Sequence, residues 1–339
     1  HMPRFREAAD ILLLDLEENA RKIVARTNAW NYQQGAMLHW LPSNPNEEII
    51  FNDMDGTHVF SKIVNVHTGE ERKLPRGINA VGNRKNVALC LNFERLHACR
   101  KTVSYPCASN SSLEAHPPDD GLYLMDLESG DVSLIVSHDE IWEAHERTRE
   151  MSKIRWLGRT LWFNHPVFNP SDDRLFFLSR YRAVFRYLIT SMWTVDPSGR
   201  DLHCLADYGE KLSHFAWWSE EEILVTMKIE GHDGRNYVIL KDQTDQREIL
   251  AEHVLNRDGH PALSPDKTML TTDTYRVRGK RNVLLCDLRR DPVEVKKVAD
   301  FKAHKFSFSP LRCDPHPRWN HAGDAVCHDG LGENGRQVY

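Results

Sequence analysis

Residues 165–180, "HPVFNPSDDRLFFLSR", decide the fold, because their plan returns at 260–275 ("HPALSPDKTMLTTDTY") and at 316–330 ("HPRWNHAGDAVCHDG"). Each copy runs His-Pro, a short apolar strand, a polar turn and a second strand. "HFAWWSEEEILVTMK" (214–228) and "LHWLPSNPNEEIIFND" (38–53) repeat it more loosely, and "INAVGNRKNVALCLNF" (78–93) more weakly. Alternating runs bounded by Gly, Asp, Asn and Pro are hairpin signals. After most copies a second hairpin follows, as in "GLYLMDLESGDVSLIV" (121–136), "SMWTVDPSGRDLHCLA" (191–206) and "NVLLCDLRRDPVEVKKVA" (282–299). Four short strands every ~40–55 residues is the period of propeller blades.

The expected architecture is therefore an all-β β-propeller forming one domain over 1–339, with insertions at about 94–120 and 137–161. Six blades are countable and seven are expected. The outer hairpin at 10–25 lacks an inner hairpin before it, and 316–330 lacks an outer one after it. Pairing the two would close the ring and hide sheet edges. A short helix is expected at 143–155 inside the second insertion. Long loops on a rigid scaffold are where function tends to sit.

Composition narrows the function. Hydrophobic residues make up 40% and charged residues 27% of the chain, which is globular. The net charge of −5, from 44 basic and 49 acidic residues, gives no footprint for nucleic acid. No run of 18 apolar residues occurs, so no membrane partner is expected. Seven scattered cysteines without a CxxC pair argue for reduced thiols and a cytoplasmic location. The leading His1-Met2 looks like a cloning remnant and says nothing of a removed signal peptide. The 18 histidines and nine tryptophans direct attention to a metal site or a sugar-binding surface.

His165, His214, His260 and His316 occupy one equivalent position at the start of an inner strand, at spacings of 49, 46 and 56 residues. Imidazoles at blade starts would converge at one mouth of the channel. There they could hold a divalent cation, with Cys313, Asp314 or Asp258 completing the shell. The competing structural reading is that His-Pro merely caps a turn. Arg95, Arg100 and Tyr105, in "NFERLHACRKTVSYP", could project over the same mouth. Arg180, Tyr275 and Arg276 end second strands, and Arg318 follows the last His-Pro. Arginine pairs with carboxylates through a two-pronged fork, and Tyr can act as acid or base. Trp30, Trp40, Trp156, Trp162, Trp217 and Trp218 divide between inter-blade core and sugar-stacking surface. No GxSxG, HExxH, Walker loop or GxGxxG is present.

"GHPALSPDKTMLTTDTY", "SHFAWW", "NHPVFNPSDDRLFFLSR" and "RCDPHPRWNHAGDAV…GRQVY" together resemble the blade signatures of the β-propeller polysaccharide lyases. These are the oligogalacturonate, ulvan and rhamnose–glucuronate lyases. The resemblance covers about Ile11 to Tyr339. It implies a seven-bladed enzyme that cleaves a uronate-containing oligo- or polysaccharide by β-elimination, aided by a divalent metal ion (Mn, Ca or Zn). The implied metal ligands are His214, His260 and His316, with Cys313 as a fourth. His165 would be base or acid, partnered by Tyr105 or Tyr275. Arg100 and Arg180 would pair with the substrate carboxylate, and Arg95, Arg276 and Arg318 would add substrate contacts. The oligogalacturonate lyases carry a Gln and a His-x-His pair where this chain has Cys313 and the single His316. The "NFERLHACR…SY" insertion is more similar to the ulvan and rhamnose–glucuronate branch, which favours a glucuronate-type substrate. Two other classes compete: a non-catalytic interaction or glycan-binding propeller, and a propeller glycoside hydrolase using Asp258, Asp273 or Asp314.

Overall fold

The computed structural model describes residues 7–56, 58–107, 113–146, 160–182, 188–303, 311–333 and 335–339. Five four-stranded antiparallel sheets occupy 39–74, 78–137, 162–206, 215–250 and 262–302, with strands adjacent in chain order. Each is the up-and-down meander of a blade. The inner and outer hairpins quoted above fall in these sheets, except those at 10–25 and 316–330.

The chain divides into two compact units, His1–Cys204 and Leu205–Tyr339. The first contains the sheets at 39–74 and 78–137 and the first three strands of the third. The second contains the sheets at 215–250 and 262–302. No helix among the described residues is long and apolar enough to cross a membrane.

The blade count corrects the expectation of six or seven. Ala9–Asp15 and Ala20–Thr27 pair only with each other. The last His-Pro copy yields strands of two residues each, Arg318–Trp319 and Val326–Cys327, again a sheet of their own. A further pair, Asp329–Gly332 with Gly335–Val338, is also two-stranded. So the closing blade shared by the two termini is not found among the described residues. Two paired positions per strand are too few to template a neighbour from a distant hairpin.

Burial follows strand position. The second strand of the third blade, Leu175–Arg182, is buried at every residue but the last, because a middle strand is packed on both faces. The edge strand Glu294–Lys302 is mostly exposed or half-buried and carries three lysines. In the second unit Leu224, Tyr237, Ile239, Leu255, Leu270 and Cys286 form a core between the two blades.

Both insertions hold helices, of which only the second was expected. Phe93–Cys99 starts at Asn92, whose Oδ1 accepts from the Arg95 backbone N at 3.0 Å. His138–Glu146 starts with a capping box: Ser137 Oγ accepts from Glu140 N at 3.0 Å, and Glu140 Oε2 accepts from Ser137 N at 2.6 Å. The helix expected at 143–155 thus begins earlier; its remainder, with Trp156, lies outside the described residues.

Candidate functional site

Three of the four aligned histidines lie in the second unit and meet there. His214 immediately precedes the strand Phe215–Trp217, His260 lies two residues before Ala262–Leu263, and His316 two before Arg318–Trp319. Their rings pack in a row, with centroids 3.9 Å apart for His214 and His260 and 4.2 Å for His260 and His316. Equal positions on neighbouring inner strands explain the row.

Carboxylates back two of the rings. His214 Nδ1 is 3.0 Å from Asp258 Oδ1, and Asp258 also accepts from Thr226 Oγ1 at 2.8 Å and Ser213 Oγ at 2.9 Å. Burial pushes Asp258 up, but the His214 hydrogen bond and charge, Thr226 and Arg235 outweigh it and hold the carboxyl at about 2. An ionised carboxylate only accepts, so in the neutral form of His214 the proton is on Nδ1 and the lone pair on Nε2. His260 Nδ1 lies 2.8–2.9 Å from both oxygens of Asp273, which also accepts from the backbone N of His260 (3.0 Å) and of His316 (3.2 Å). Burial, reinforced by the neighbouring imidazoles, pushes His260 and His316 well below the ordinary histidine range. Both rings are therefore neutral at pH 7, the state in which imidazole binds metals.

Gly259 permits this approach. A Cβ there would stand 2.0 Å from Asp273 O, 2.7 Å from Thr272 Oγ1 and 2.8 Å from Tyr237 Oη. Gly259→Ala is expected to cost about 1–3 kcal/mol by forced displacement, read as a lower denaturant midpoint at unchanged m.

One ligand atom each from His260, Asp314 and His316 lie within 4.8 Å of one another. Of the three residues offered from sequence to complete the shell, the group contains Asp314. Cys313 is fully buried, its thiol pushed up chiefly by burial, and it is not in the group; its neighbour Asp314 is. Asp314 is set by Arg281 Nη2 at 2.7 Å and Arg312 Nε at 2.6 Å. Two neutral imidazoles and a carboxylate suit a divalent transition metal or zinc. His260 has its Nδ1 on Asp273, which turns Nε2 outward for a ligand. The residues therefore fit a metal ion.

His214 stands beside this group. Its Nε2 lies 3.3 Å from Tyr275 Oη, and the two rings stack at 5.7 Å. Burial first, and then the charges of Asp314 and Asp258, push the Tyr275 phenol above its ordinary range, so it keeps its proton. The Arg281 guanidinium carbon is 5.0 Å from the centre of the Tyr275 ring. Asp258, His214 and Tyr275 thus form a hydrogen-bonded chain. Tyr275 and Asp258 also line a cleft of about 330 Å³, with Lys228, Arg235, Arg257 and Arg276.

The other expected residues have the following surroundings. His165, in the first unit, has φ +52° and places Nδ1 3.2 Å from Gln34 Nε2. Arg180, also in that unit, is buried, with Nε donating to Thr190 Oγ1 at 3.2 Å. Tyr105 does not project over a mouth: it is fully buried, stacked on Phe93, and accepts from Asn52 Nδ2 at 3.0 Å. Arg95 is likewise a core residue, donating to the carbonyls of Leu161, Glu114 and Ala115. Arg100 is half-buried at the end of the Phe93–Cys99 helix, its backbone N donating to Leu96 O. Arg318, with Nη1 donating to Pro317 O at 2.9 Å, stands near the row of rings, and its charge helps to lower His260 and His316. Trp162 is core. Sequence reasoning passed over Arg281 and Arg312, because neither stands at a blade start.

No protein-family model matches the chain, and no curated protein matches it in sequence. Among solved structures it is similar to an oligogalacturonate lyase from Vibrio parahaemolyticus, with a TM-score of 0.64 and 12% identity over 97% of this chain and 82% of that one. It is similar to the β-propeller domain of the Trilobed protease from Pyrococcus furiosus, with a TM-score of 0.56 and 12% identity over 99% of this chain and 88% of that one. It is also similar to Pyrococcus horikoshii acylaminoacyl peptidase, with a TM-score of 0.54 and 11% identity over 97% of this chain and 46% of that one. At such identity these likenesses establish the fold, an all-β β-propeller, and nothing finer.

Proposed function

We propose that the second unit carries the active centre of a carbon–oxygen lyase that cleaves a uronate-containing glycan by β-elimination. The observation that supports this is the Asp258–His214–Tyr275 chain standing against the His260, Asp314 and His316 group. The C5 proton of a uronate is weakly acidic, and its removal needs a base and a sink for the charge that forms beside the carboxylate. His214 Nε2 takes the C5 proton, and Asp258 stabilises the imidazolium. The electrons form the C4–C5 double bond as the C4–O bond breaks. Tyr275 gives its proton to the departing oxygen. His214 then returns a proton to the phenolate across their 3.3 Å contact, which restores both groups. A divalent ion on His260, Asp314 and His316 would draw charge from the substrate carboxylate. These steps draw on neither His165 nor Arg180.

A hydrolase reading finds less support. Asp258 and Asp273 are tied to imidazoles and Asp314 to two arginines, so these three candidates offer no open carboxyl pair to flank a glycosidic bond.

The test is a panel of uronate glycans, glucuronate types included, followed by ultraviolet absorbance of the new double bond. Absorbance that rises with product, and falls away with chelator, is the expected result. Reducing ends released without absorbance would mark a hydrolase and overturn the reading.

A further inference from the structure

We propose that the outward face of the hairpin formed by Ala9–Asp15 and Ala20–Thr27 docks onto the same face of a second copy of this chain, giving a two-fold symmetric dimer. The inference is independent of the lyase reading.

The hairpin is apolar on both faces, and one of them is covered within the chain. Ile11, Leu13, Val24 and Ala25 pack inward with Ile49, Phe51 and Val64 of the first blade. On the other face Leu12, Leu14 and Ile23 stand 47%, 54% and 58% exposed, and Leu16 in the adjoining turn 88%. Twelve large apolar side chains are exposed among the described residues, and these four lie together in one hairpin, so the patch is not ordinary surface scatter. Sheets bury such a face against another sheet, as the inner face of this hairpin already does. The pairing register selects the sheet that fits. Across the hairpin Asp10 stands opposite Arg26, Leu12 opposite Ile23 and Leu14 opposite Arg21. Asp10 and Arg26 are joined at 2.7 Å, yet their side chains remain 39% and 70% exposed, a polar rim beside the apolar centre. A two-fold axis parallel to the strands lays the first strand of one copy over the second strand of the other at the same level. Asp10 then meets Arg26 of the partner subunit, and Leu12 meets Ile23 of the partner subunit. Leu14 lies on the aliphatic stem of Arg21 of the partner subunit. The charges and the apolar groups of this one face are thus complementary to themselves, the requirement of an isologous contact. An axis across the strands would set Arg26 over Arg21 of the partner subunit and oppose like charges. A first strand of seven residues spans about 24 Å. That is small for an obligate interface, so the dimer is a weak and concentration-dependent one.

The experiment is analytical ultracentrifugation of the full chain over about two decades of micromolar concentration. A reversible monomer–dimer equilibrium is expected. Ile23→Lys, at the centre of the exposed face, should weaken it by about tenfold or more and leave the melting temperature near the wild-type value. Asp10→Arg and Arg26→Asp proteins test the register. Each alone sets like charges across the axis and should stay monomeric where the wild type is half dimeric. Mixed in equal amounts, the two bring opposite charges together at both contacts and should dimerise within about threefold of the wild type. The ion pair inside each chain is as broken in the mixture as in either protein alone, so rescue on mixing reports contact between copies. A wild-type chain that stays monomeric throughout, association untouched by Ile23→Lys, or a mixture that fails to dimerise overturns the proposal. Growth beyond the dimer does so too, because a two-fold face is used up once paired. Binding of the wild type to phosphatidylcholine vesicles without self-association would assign the face to a lipid surface and likewise overturn it.

Discussion

Tyr275→Phe is expected to lower kcat for uronide cleavage by about 10²–10⁴-fold while KM changes little. The substitution removes one oxygen and leaves the ring. The stacking on His214 and the contact with the Arg281 guanidinium both survive, so the melting temperature should stay near the wild-type value. What is lost is the only proton donor in the Asp258–His214–Tyr275 chain that faces the cleft. The same chain makes a second, linked prediction about direction. An Asn at 258 can present its amide N–H to His214 Nδ1, which would move the imidazole proton to Nε2 and remove the base. Asp258→Asn should therefore reduce kcat comparably. The Asp258 carboxyl is held at about 2, below its ordinary value near 3.8. A depressed folded-state value contributes stability that is complete above the unfolded value and is lost as pH falls through about 2. The chain is thus intact across the neutral range. Steady-state absorbance kinetics decide the matter: a Tyr275→Phe enzyme within about threefold of wild type would remove the phenol from the reaction.

How far the sequence could be read depends on what each residue answers to. Blade period and His register are local and repetitive, and both survive in the structure: the hairpins fall where "HPALSPDKTMLTTDTY" and its copies place them, and three of the aligned imidazoles pack in one row. Asp258, read from sequence as a metal-shell or hydrolase carboxylate, and Asp273, read as a hydrolase carboxylate, instead stand behind His214 and His260. What failed depended on direction. Arg95 and Tyr105 sit on a segment that looks like a basic surface loop, yet a helix capped by Asn92 turns Arg95 inward onto three carbonyls, and Tyr105, beyond that helix, stacks on Phe93. Cys313 and Asp314 are one residue apart, and composition cannot say which faces His316. The blade count failed because closure needs long-range strand pairing, which the two-residue strands of the last His-Pro copy do not supply. Arg281 carries no motif; its place against Asp314 and Tyr275 follows only from two blades being folded.

His316→Ala is expected to weaken binding of a divalent transition metal by more than about 100-fold and to abolish the metal-dependent rise in melting temperature. Of the three residues in the group, His316 gives the cleanest test. Asp314 holds two arginines, and removing one partner of a buried ion pair costs about 3–5 kcal/mol by itself. Loss of the His260 ring would strip a donor from the buried Asp273. His316 instead holds Asp273 through its backbone N, which an alanine keeps. The apo variant should therefore melt close to the apo wild type, and the difference should emerge only on adding Mn²⁺ or Zn²⁺. Calcium should raise neither protein, because it prefers six to eight oxygen ligands and this group offers two imidazoles. Cys313→Ser supplies the opposite arm. A buried thiol outside the ligand group should be replaceable without loss of the metal effect, and a Cys313→Ser protein that no longer binds metal, beside a His316→Ala protein that does, would transfer the site from Asp314 to its neighbour.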